Sequence, residues 1–339
     1  MNRGAAKAAL AAWSDRLGLT RALASLPQRR RLIVLTYHRI GDAAHAIYDP
    51  EMYSATPEDF DAQVAFLKQR IGVISLDEAL AWLDRPSLRS GSAVLITFDD
   101  GYADNYRLAY PVLRNHGVSA TFFLTTSFVG ESRLPWWDRI ADYVRRTREP
   151  RLHLEYPTAL DFDLEREPRP IVLRRLLQIY KSAAMTDPER FIDEIAQACR
   201  IEPTIPERIF LDWKEAAEMV AGGMSIGSHT HSHELLAKLT LEEQLHELTK
   251  SRQILEAALP IAADVLAYPV GSRHAFSPTT IEAAERSGYR AAFLYYGGIN
   301  RPGHTARFDI RRTTVDSDVS LPLFRLSQTL SALAGHEVL

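Results

Sequence analysis

Short apolar runs alternate with amphipathic segments along most of this chain. The apolar runs predict buried strands at Leu32–Tyr37, Ala93–Phe98 and residues 120–124, 224–228, 265–268, 291–295 and 310–315. Helices are predicted after Thr56, which suits an N-cap with Pro57 in the first turn, and over residues 240–258 and 279–287. Such alternation of strand and helix predicts an α/β fold with a parallel sheet, either open or closed into a barrel.

Residues from about 131 to 210 break this alternation and predict a mostly helical insertion. This segment contains Pro135-Trp136-Trp137 and two helical stretches, at residues 171–184 and 188–200. We therefore expect a barrel domain over residues 29–325 that carries the insertion, followed by a C-terminal tail over residues 326–339.

The N-terminal residues 1–28 predict an amphipathic helix, because Leu10, Trp13, Leu17 and Leu23 recur on roughly one helical face. This face could pack on the domain or, with the basic flank at residues 29–31, make a peripheral contact with a membrane. The segment has no unbroken apolar stretch of signal-peptide or transmembrane length. We therefore expect the protein in the cytoplasm or at the cytoplasmic face of the membrane.

Composition narrows the class of protein. The 339 residues are 46% apolar and 24% charged, which is typical of a soluble globular protein. A net charge of −3 gives no reason to expect nucleic acid as a partner. The single cysteine, Cys199, excludes an intrachain disulfide and a cysteine-rich zinc site.

Side chains capable of chemistry come directly after several predicted strands. His38 follows the first strand, Asp99 and Asp100 follow the second, and His229 follows the run at residues 224–228. Tyr268 and Pro269 end a later strand in the same way. Because such positions meet at one face of a parallel barrel, we expect these residues to gather there.

Adjacent carboxylates at Asp99 and Asp100 repel each other, so a nearby positive charge is needed if both are buried. A divalent metal held by one Asp and two His would supply this charge and leave the other Asp free as a base. His229 and His233 have the spacing that brings two side chains to one side of a turn. Ligation by His229 and His231 from an extended segment is the alternative.

Four motifs resemble those of the polysaccharide deacetylases, the NodB-homology domain of carbohydrate esterase family 4. The specific ones are Thr97-Phe98-Asp99-Asp100-Gly101 and Ser228-His229-Thr230-His231-Ser232-His233. The supporting ones are Ala267-Tyr268-Pro269-Val270-Gly271 and Leu35-Thr36-Tyr37-His38-Arg39, the latter resembling members that begin with a Tyr-His strand. The resemblance covers residues 32–315 apart from much of the insertion.

The resemblance implies a distorted, incompletely closed (β/α)7-type barrel that removes N-acetyl groups from sugars. It also implies metal ligation by Asp100, His229 and His233. Asp99 would be the general base, His38 the general acid, and the backbone N–H of Tyr102 an oxyanion donor. The expected cofactor is one divalent metal ion, with Zn²⁺ first and other divalent transition metals as alternatives.

The third motif departs from the family pattern, because Ala267 stands where an arginine often orients the base. Arg312 could substitute for that arginine, and Arg273 is its competitor. The resemblance further assigns Tyr268 and Pro269 to the substrate side of the site.

These features predict a metal-dependent deacetylase acting on acetamido sugars of a polysaccharide, an oligosaccharide or a lipid-linked glycan. An amide or imide hydrolase with the same metal site is one alternative. A catalytically silent glycan-binding module is the other.

Overall fold

The computed structural model describes residues 3–182, 184–202 and 207–334. These residues divide into two units, one comprising residues 3–43, 51–131 and 210–334, the other residues 44–50 and 132–209. The strands are β1 (Leu32–Tyr37), β2 (Arg39–Ile40), β3 (Tyr53–Ala55), β4 (Ala93–Phe98), β5 (Thr121–Leu124), β6 (Arg151–Leu154), β7 (Leu160–Asp163), β8 (Ser225–Ser228), β9 (Val265–Ala267), β10 (Ala291–Phe293) and β11 (Thr313–Thr314).

The first unit is built on a parallel sheet with the strand order β10-β9-β8-β5-β4-β1-β11. Both β1 and β4 are buried at every position, which explains why they are continuous apolar runs in the sequence. Their register pairs Leu32 with Ala93 at one end and Tyr37 with Phe98 at the other. His38 and Asp99, the next residues of each strand, therefore leave the sheet at the same level.

The two edges of this sheet approach each other through the segment at residues 310–314. Ile310 forms a parallel bridge with Phe293 of β10, and Thr313–Thr314 pairs with β1. The incompletely closed barrel that we predicted is therefore confirmed. The strand expected at residues 310–315 is divided, because Ile310 bridges to β10 whereas Thr313–Thr314 pairs with β1. Arg312 lies between these two pairings, and its buried guanidinium group contacts Asp99.

The helices surround this sheet or form the second unit. They are α1 (Arg3–Arg16), α2 (Leu19–Ala24), α3 (Pro57–Arg70), α4 (Leu76–Asp84), α5 (Tyr110–His116), α6 (Trp136–Arg146), α7 (Arg169–Lys181), α8 (Pro188–Cys199), α9 (Trp213–Ala221), α10 (Leu241–Ala258), α11 (Pro278–Arg286) and α12 (Leu321–Ala334). Thr56 caps α3, and Thr240 forms a capping box with Glu243 at the start of α10. Both helix starts follow the sequence prediction because a cap is a local signal.

The second unit contains α6, α7, α8 and the antiparallel pair β6–β7. Its core includes Trp136, whose ring stacks on Tyr180 at 3.9 Å. The β6–β7 pair was not expected inside a mostly helical insertion. The alternation of polar and apolar residues along β6, Arg151-Leu152-His153-Leu154, is the sequence signal that could have indicated it.

The terminal segments are more helical than expected. Residues 1–28 contain two helices, α1 and α2, separated at Gly18, whose positive φ of 72° ends the first helical path. Helix α12 continues to residue 334, and residues 335–339 of the predicted tail lie outside the described residues. None of the helices in the described ranges is long and apolar enough to span a membrane.

Candidate active site

The two adjacent carboxylates lie buried at the carboxyl end of β4. Asp99 N–H donates to the carbonyl of Tyr37 at 3.0 Å, which extends the β1–β4 ladder into the site. The following residue, Asp100, has a positive φ of 70°, so the chain turns sharply there and both side chains are buried within the site. The strand register alone therefore brings both carboxylates into the site.

Asp100, His229 and His233 form a buried cluster whose ligand atoms all lie within 4.8 Å of one another. Asp100 Oδ1 is 3.5 Å from His229 Nε2 and 3.4 Å from His233 Nε2. Burial alone would raise the pKa of Asp100, but its hydrogen bond with His233 and the imidazole charges lower that pKa to about 2. The Asp100 carboxylate is therefore ionised, and its Oδ1 faces both imidazole rings.

The orientation of His229 suits metal ligation. Its Nδ1 lies 2.8 Å from the carbonyl oxygen of Ala267, so Nδ1–H donates and the lone pair of Nε2 faces Asp100. Burial is the main cause that lowers the pKa of His229 to about 4, which keeps the ring neutral near pH 7. One carboxylate and two imidazoles with this orientation fit a catalytic divalent metal ion.

His231 points elsewhere. Its Nδ1 lies 3.0 Å from Thr126 Oγ1, and it is not part of the described cluster. Of the two spacings that the sequence left open, the structure brings together His229 and His233.

Arg312 makes a bidentate ion pair with Asp99. Both nitrogen–oxygen distances are 2.7 Å, and Arg312 Nε donates to the carbonyl of Leu294 at 2.6 Å. Burial alone would raise the pKa of Asp99, but the charge of Arg312 and then that of His229 hold it below its usual range. Arg273 lies over the ring of Tyr296 at 4.6 Å, so Arg312 is the arginine that contacts the carboxylate.

His38 is half-buried and its backbone is held on both sides. Its N–H donates to Ser54 Oγ at 3.0 Å, and its carbonyl accepts from Asn105 Nδ2 at 2.7 Å. The His38 ring meets the ring of Tyr295 edge-on at 5.3 Å. Its positive charge, when protonated, acts to lower the pKa of both Asp99 and Asp100, so it lies within electrostatic range of them.

Tyr102 and Tyr268, two further predicted site residues, have different surroundings. Tyr102 follows the carboxylates and pairs with Phe210 in an antiparallel bridge, with their rings stacked at 4.9 Å. The Tyr268 ring packs in the apolar cluster of β9, β10, α10 and α11, stacked on Phe276 at 5.0 Å. Its hydroxyl has no hydrogen-bond partner among the described residues. The Tyr268 side chain is thus directed into this cluster.

Pro269 begins a tight turn that supports Tyr295. Val270 and Gly271 both have positive φ, and Gly271 N–H donates to the carbonyl of Pro269 at 2.6 Å. A Cβ at Gly271 would lie 2.5 Å from the Tyr295 backbone, so only glycine fits this approach. The third motif therefore contributes by holding Tyr295, and through it the surroundings of His38.

Glu247, which the sequence analysis did not single out, fixes the loop between His229 and His233. The Glu247 carboxylate, on α10, accepts from the N–H groups of His231 and Ser232 at 3.1 and 2.8 Å. It also accepts from the hydroxyl of Ser232 at 2.8 Å. Thr230 and His233 have positive φ, so the loop adopts a conformation that needs such support. An acidic residue on the helix after the histidine motif is only a weak sequence signal.

Removing the Glu247 carboxylate is expected to weaken metal binding without unfolding the chain. Glu247→Ala should lower Zn²⁺ affinity on the order of 10–100-fold, as for other residues that orient metal ligands, and Glu247→Gln should lie between it and the wild type. Competition titration with a zinc indicator measures this, with exposed Glu242→Gln on the same helix as the control. Unchanged affinity in a folded Glu247→Ala protein would show that the loop needs no carboxylate.

Asp104 and Asn105 were also not singled out from the sequence, although only two residues separate them from the Asp-Asp-Gly motif. The Asp104 side chain is 12% exposed, and it accepts from Arg39 Nε at 2.9 Å and from the N–H of Ile40 at 3.0 Å. The Arg39 guanidinium lies over the rings of Tyr102 and Tyr53, at 4.5 and 4.7 Å. Together with the Asn105 bond to His38, these contacts fasten the His38 segment to the segment that carries the carboxylates.

The low pKa of His229 predicts an acid-sensitive fold in the metal-free protein. The unfolded chain takes up a proton on this ring below its ordinary pKa of 6.5, whereas the folded chain does so only near 4. The contribution of the neutral His229 ring to the free energy of unfolding is therefore fully present above about pH 6.5 and is lost as pH falls towards 4. Urea midpoints of chelator-treated protein at about pH 7.5 and about pH 5 measure this loss. A His229→Gln variant with the same loss would refute the assignment.

The chain is similar in sequence to deacetylases. Residues 88–292 match the sequence profile of polysaccharide deacetylases. YxkH of Bacillus subtilis (strain 168), whose name assigns it provisionally to the polysaccharide deacetylases, is 23% identical over 82% of this chain and 67% of its own length. The poly-beta-1,6-N-acetyl-D-glucosamine N-deacetylase of Staphylococcus aureus (strain MSSA476) is 30% identical over 32% of this chain, but that match spans only 41% of the relative.

Solved structures show the same fold. The Streptococcus pyogenes deacetylase PplD in complex with acetate superposes with a TM-score of 0.57 at 21% identity, over 89% of this chain and 98% of that one. IcaB from Ammonifex degensii gives a TM-score of 0.57 at 22% identity with the same coverage.

Proposed function

Because the chain belongs to the polysaccharide deacetylase family, we propose that it removes N-acetyl groups from acetamido sugars of a polysaccharide, an oligosaccharide or a lipid-linked glycan. The observation that carries this proposal is the buried cluster of Asp100, His229 and His233 beside a second carboxylate, Asp99, that is oriented by an arginine. This arrangement has both a place for a cation and an independent base.

Asp100, His229 and His233 are the proposed ligands of one divalent metal ion, with Zn²⁺ as the first expectation. Such an ion would polarise an amide carbonyl and lower the pKa of a water molecule towards neutrality. His229 presents Nε2 because its Nδ1–H is committed to the Ala267 carbonyl. Glu247 keeps the loop between the histidines in the conformation that aims both rings at Asp100.

Asp99 is the proposed general base. Arg312 holds both carboxylate oxygens and keeps Asp99 ionised, so the carboxylate can accept the proton of the attacking water. His229 Nε2 is 4.0 Å from Asp99 Oδ2, which places the base directly beside the ligand cluster. The backbone N–H of Tyr102, in the same turn, is the proposed donor to the oxyanion.

His38 is the proposed general acid, which protonates the amine as the C–N bond breaks. Its backbone is fixed by Ser54 and Asn105, and its ring rests against Tyr295. Asp316 is a further charged neighbour: burial and Asp318 raise its pKa, and the charge of His38 acts in the opposite direction. Asp316 therefore lies within electrostatic range of the His38 ring.

The substrate class is tested by measuring acetate released from N-acetylglucosamine oligomers, before and after chelation and after Zn²⁺ is added back. The proposal predicts release that chelation stops and Zn²⁺ restores. Release that persists after complete metal removal would contradict it. Metal binding without acetate from any sugar, combined with hydrolysis of simple amides or cyclic imides, would favour the alternative hydrolase; glycan binding without any turnover would indicate a silent module.

A further inference from the structure

Helix α1 presents its large apolar side chains to solvent and its small ones to the protein. Ala11 and Ser14 are buried, whereas Leu10, Trp13 and Leu17 are 68, 64 and 65% exposed. These three positions recur at intervals of three and four, so they form one continuous stripe along the helix. A helix of a soluble protein normally has the reverse arrangement, and a stripe of this kind indicates a surface with a partner.

Exposed apolar side chains continue along the chain beyond α1. Leu19, at the start of α2, and Leu26, just after it, are each about half exposed. The described residues include nine exposed large apolar side chains, and five of them lie between residues 10 and 26. The concentration in one short segment separates this surface from the scattered exposed leucines of an ordinary protein.

The N-terminal segment that carries this apolar stripe is basic. Residues 1–31 contain seven basic residues and one acidic residue, a net charge of +6, although the whole chain has a net charge of −3. The rest of the chain therefore carries −9. Lys7 and Arg16 are exposed on the flanks of the stripe, and the one acidic residue, Asp15, is paired with Arg325 at 3.0 Å.

A basic cleft lies beside the same two helices. Its volume is about 290 Å³, and its lining includes Arg21, Arg70 and Arg325. Asp15 is the one carboxylate among the residues that line it, so the cleft keeps a positive balance. Arginine suits phosphate groups because its planar guanidinium group can donate two parallel hydrogen bonds.

We propose that the α1–α2 surface, defined by Leu10, Trp13, Leu17, Leu19 and Leu26, docks on an anionic lipid bilayer. The apolar side chains would enter the interface, and the cleft arginines would contact headgroup phosphates. The charge pattern selects this occupant, because an apolar stripe flanked by basic residues is complementary to an anionic membrane surface. This interaction is separate from the deacetylation chemistry and does not depend on it.

Vesicle co-sedimentation of the full chain tests the proposal. We expect binding to phosphatidylcholine vesicles that contain about 30% phosphatidylglycerol, weaker binding at high salt, and little binding to phosphatidylcholine alone. Trp13→Ser/Leu17→Ser should abolish sedimentation. Arg21→Gln/Arg70→Gln should weaken it on the order of 25-fold, about five-fold for each charge. Leu88→Ser, which removes a similarly exposed leucine elsewhere in the same unit, is the matched control and should bind normally.

Two controls keep the test decisive. Circular dichroism and acetate release without vesicles should be unchanged in the Trp13 and Arg21 double variants, which excludes misfolding as the cause of lost binding. Equal sedimentation with neutral and anionic vesicles, or unchanged sedimentation of the Trp13→Ser/Leu17→Ser protein, would overturn the proposal. A vesicle-free dimer that these substitutions dissociate, with no vesicle binding by the wild type, would assign the surface to a second copy of the chain instead.

Discussion

Asp99→Asn is expected to abolish nearly all turnover while the metal ion stays bound. Asparagine has the shape of the native side chain but cannot accept the proton of the attacking water, and loss of a positioned base typically costs on the order of 10²–10⁴-fold in rate. The metal should remain because the proposed ligands are Asp100, His229 and His233. The measurement is the rate of acetate release per metal-loaded chain, with metal content determined on the same sample.

The control for this variant is Asp77→Asn, an exposed carboxylate whose loss should leave both quantities unchanged. Two results would contradict the account in different ways. Full turnover by Asp99→Asn would show that another group is the base. Loss of the metal together with turnover would show that Asp99 is a ligand, so the roles of the two adjacent carboxylates would have to be exchanged.

Arg312→Met is expected to destabilise the fold and to suppress turnover together. The substitution leaves the buried Asp99 carboxylate without its bidentate partner, and breaking a buried ion pair from one side costs about 3–5 kcal/mol. Asp99 would also lose the contact that orients it. Urea denaturation measures the first effect and acetate release the second. Arg312→Lys should restore part of the stability but less of the activity, because an ammonium group cannot hold both oxygens.

A double variant distinguishes loss of the Asp99–Arg312 ion pair from general damage to the core. Asp99→Asn combined with Arg312→Met should be less destabilised than the sum of the two single changes, because the buried charge that caused the penalty is gone. Arg273→Met is the matched control, since Arg273 lies over Tyr296 rather than on the carboxylate. If Arg273→Met reproduced the loss of turnover, or Arg312→Met left both quantities intact, Arg312 would not be the orienting residue.

Much of the fold was predictable because its signals are local. β1 and β4 are buried along their whole length, so their apolar runs identify them in the sequence. The residues that directly follow these runs are His38 and Asp99. The capping box at Thr240 marks the start of α10 within the sequence itself. The members of the cluster, Asp100, His229 and His233, were also predictable, because each motif follows a strand and parallel strands end at one face.

Other features depend on contacts between distant parts of the chain and could not be predicted from local patterns. The choice between Arg312 and Arg273 depends on where the interrupted segment at residues 310–314 crosses from β10 to β1. Glu247 reaches the histidine loop only because α10 packs beside β8. Tyr268 was assigned to the substrate side, yet its ring packs with α10 and α11, since successive residues at a strand end face opposite sides of the sheet.

Whether Asp100, His229 and His233 together hold one catalytic divalent ion is tested by the Zn²⁺ content of the wild-type protein and of Asp100→Asn, measured by equilibrium dialysis at equal free Zn²⁺. We expect about one ion per wild-type chain and loss of both the ion and acetate release in the variant. An Asp100→Asn protein that binds Zn²⁺ as tightly as the wild type would contradict this ligand assignment.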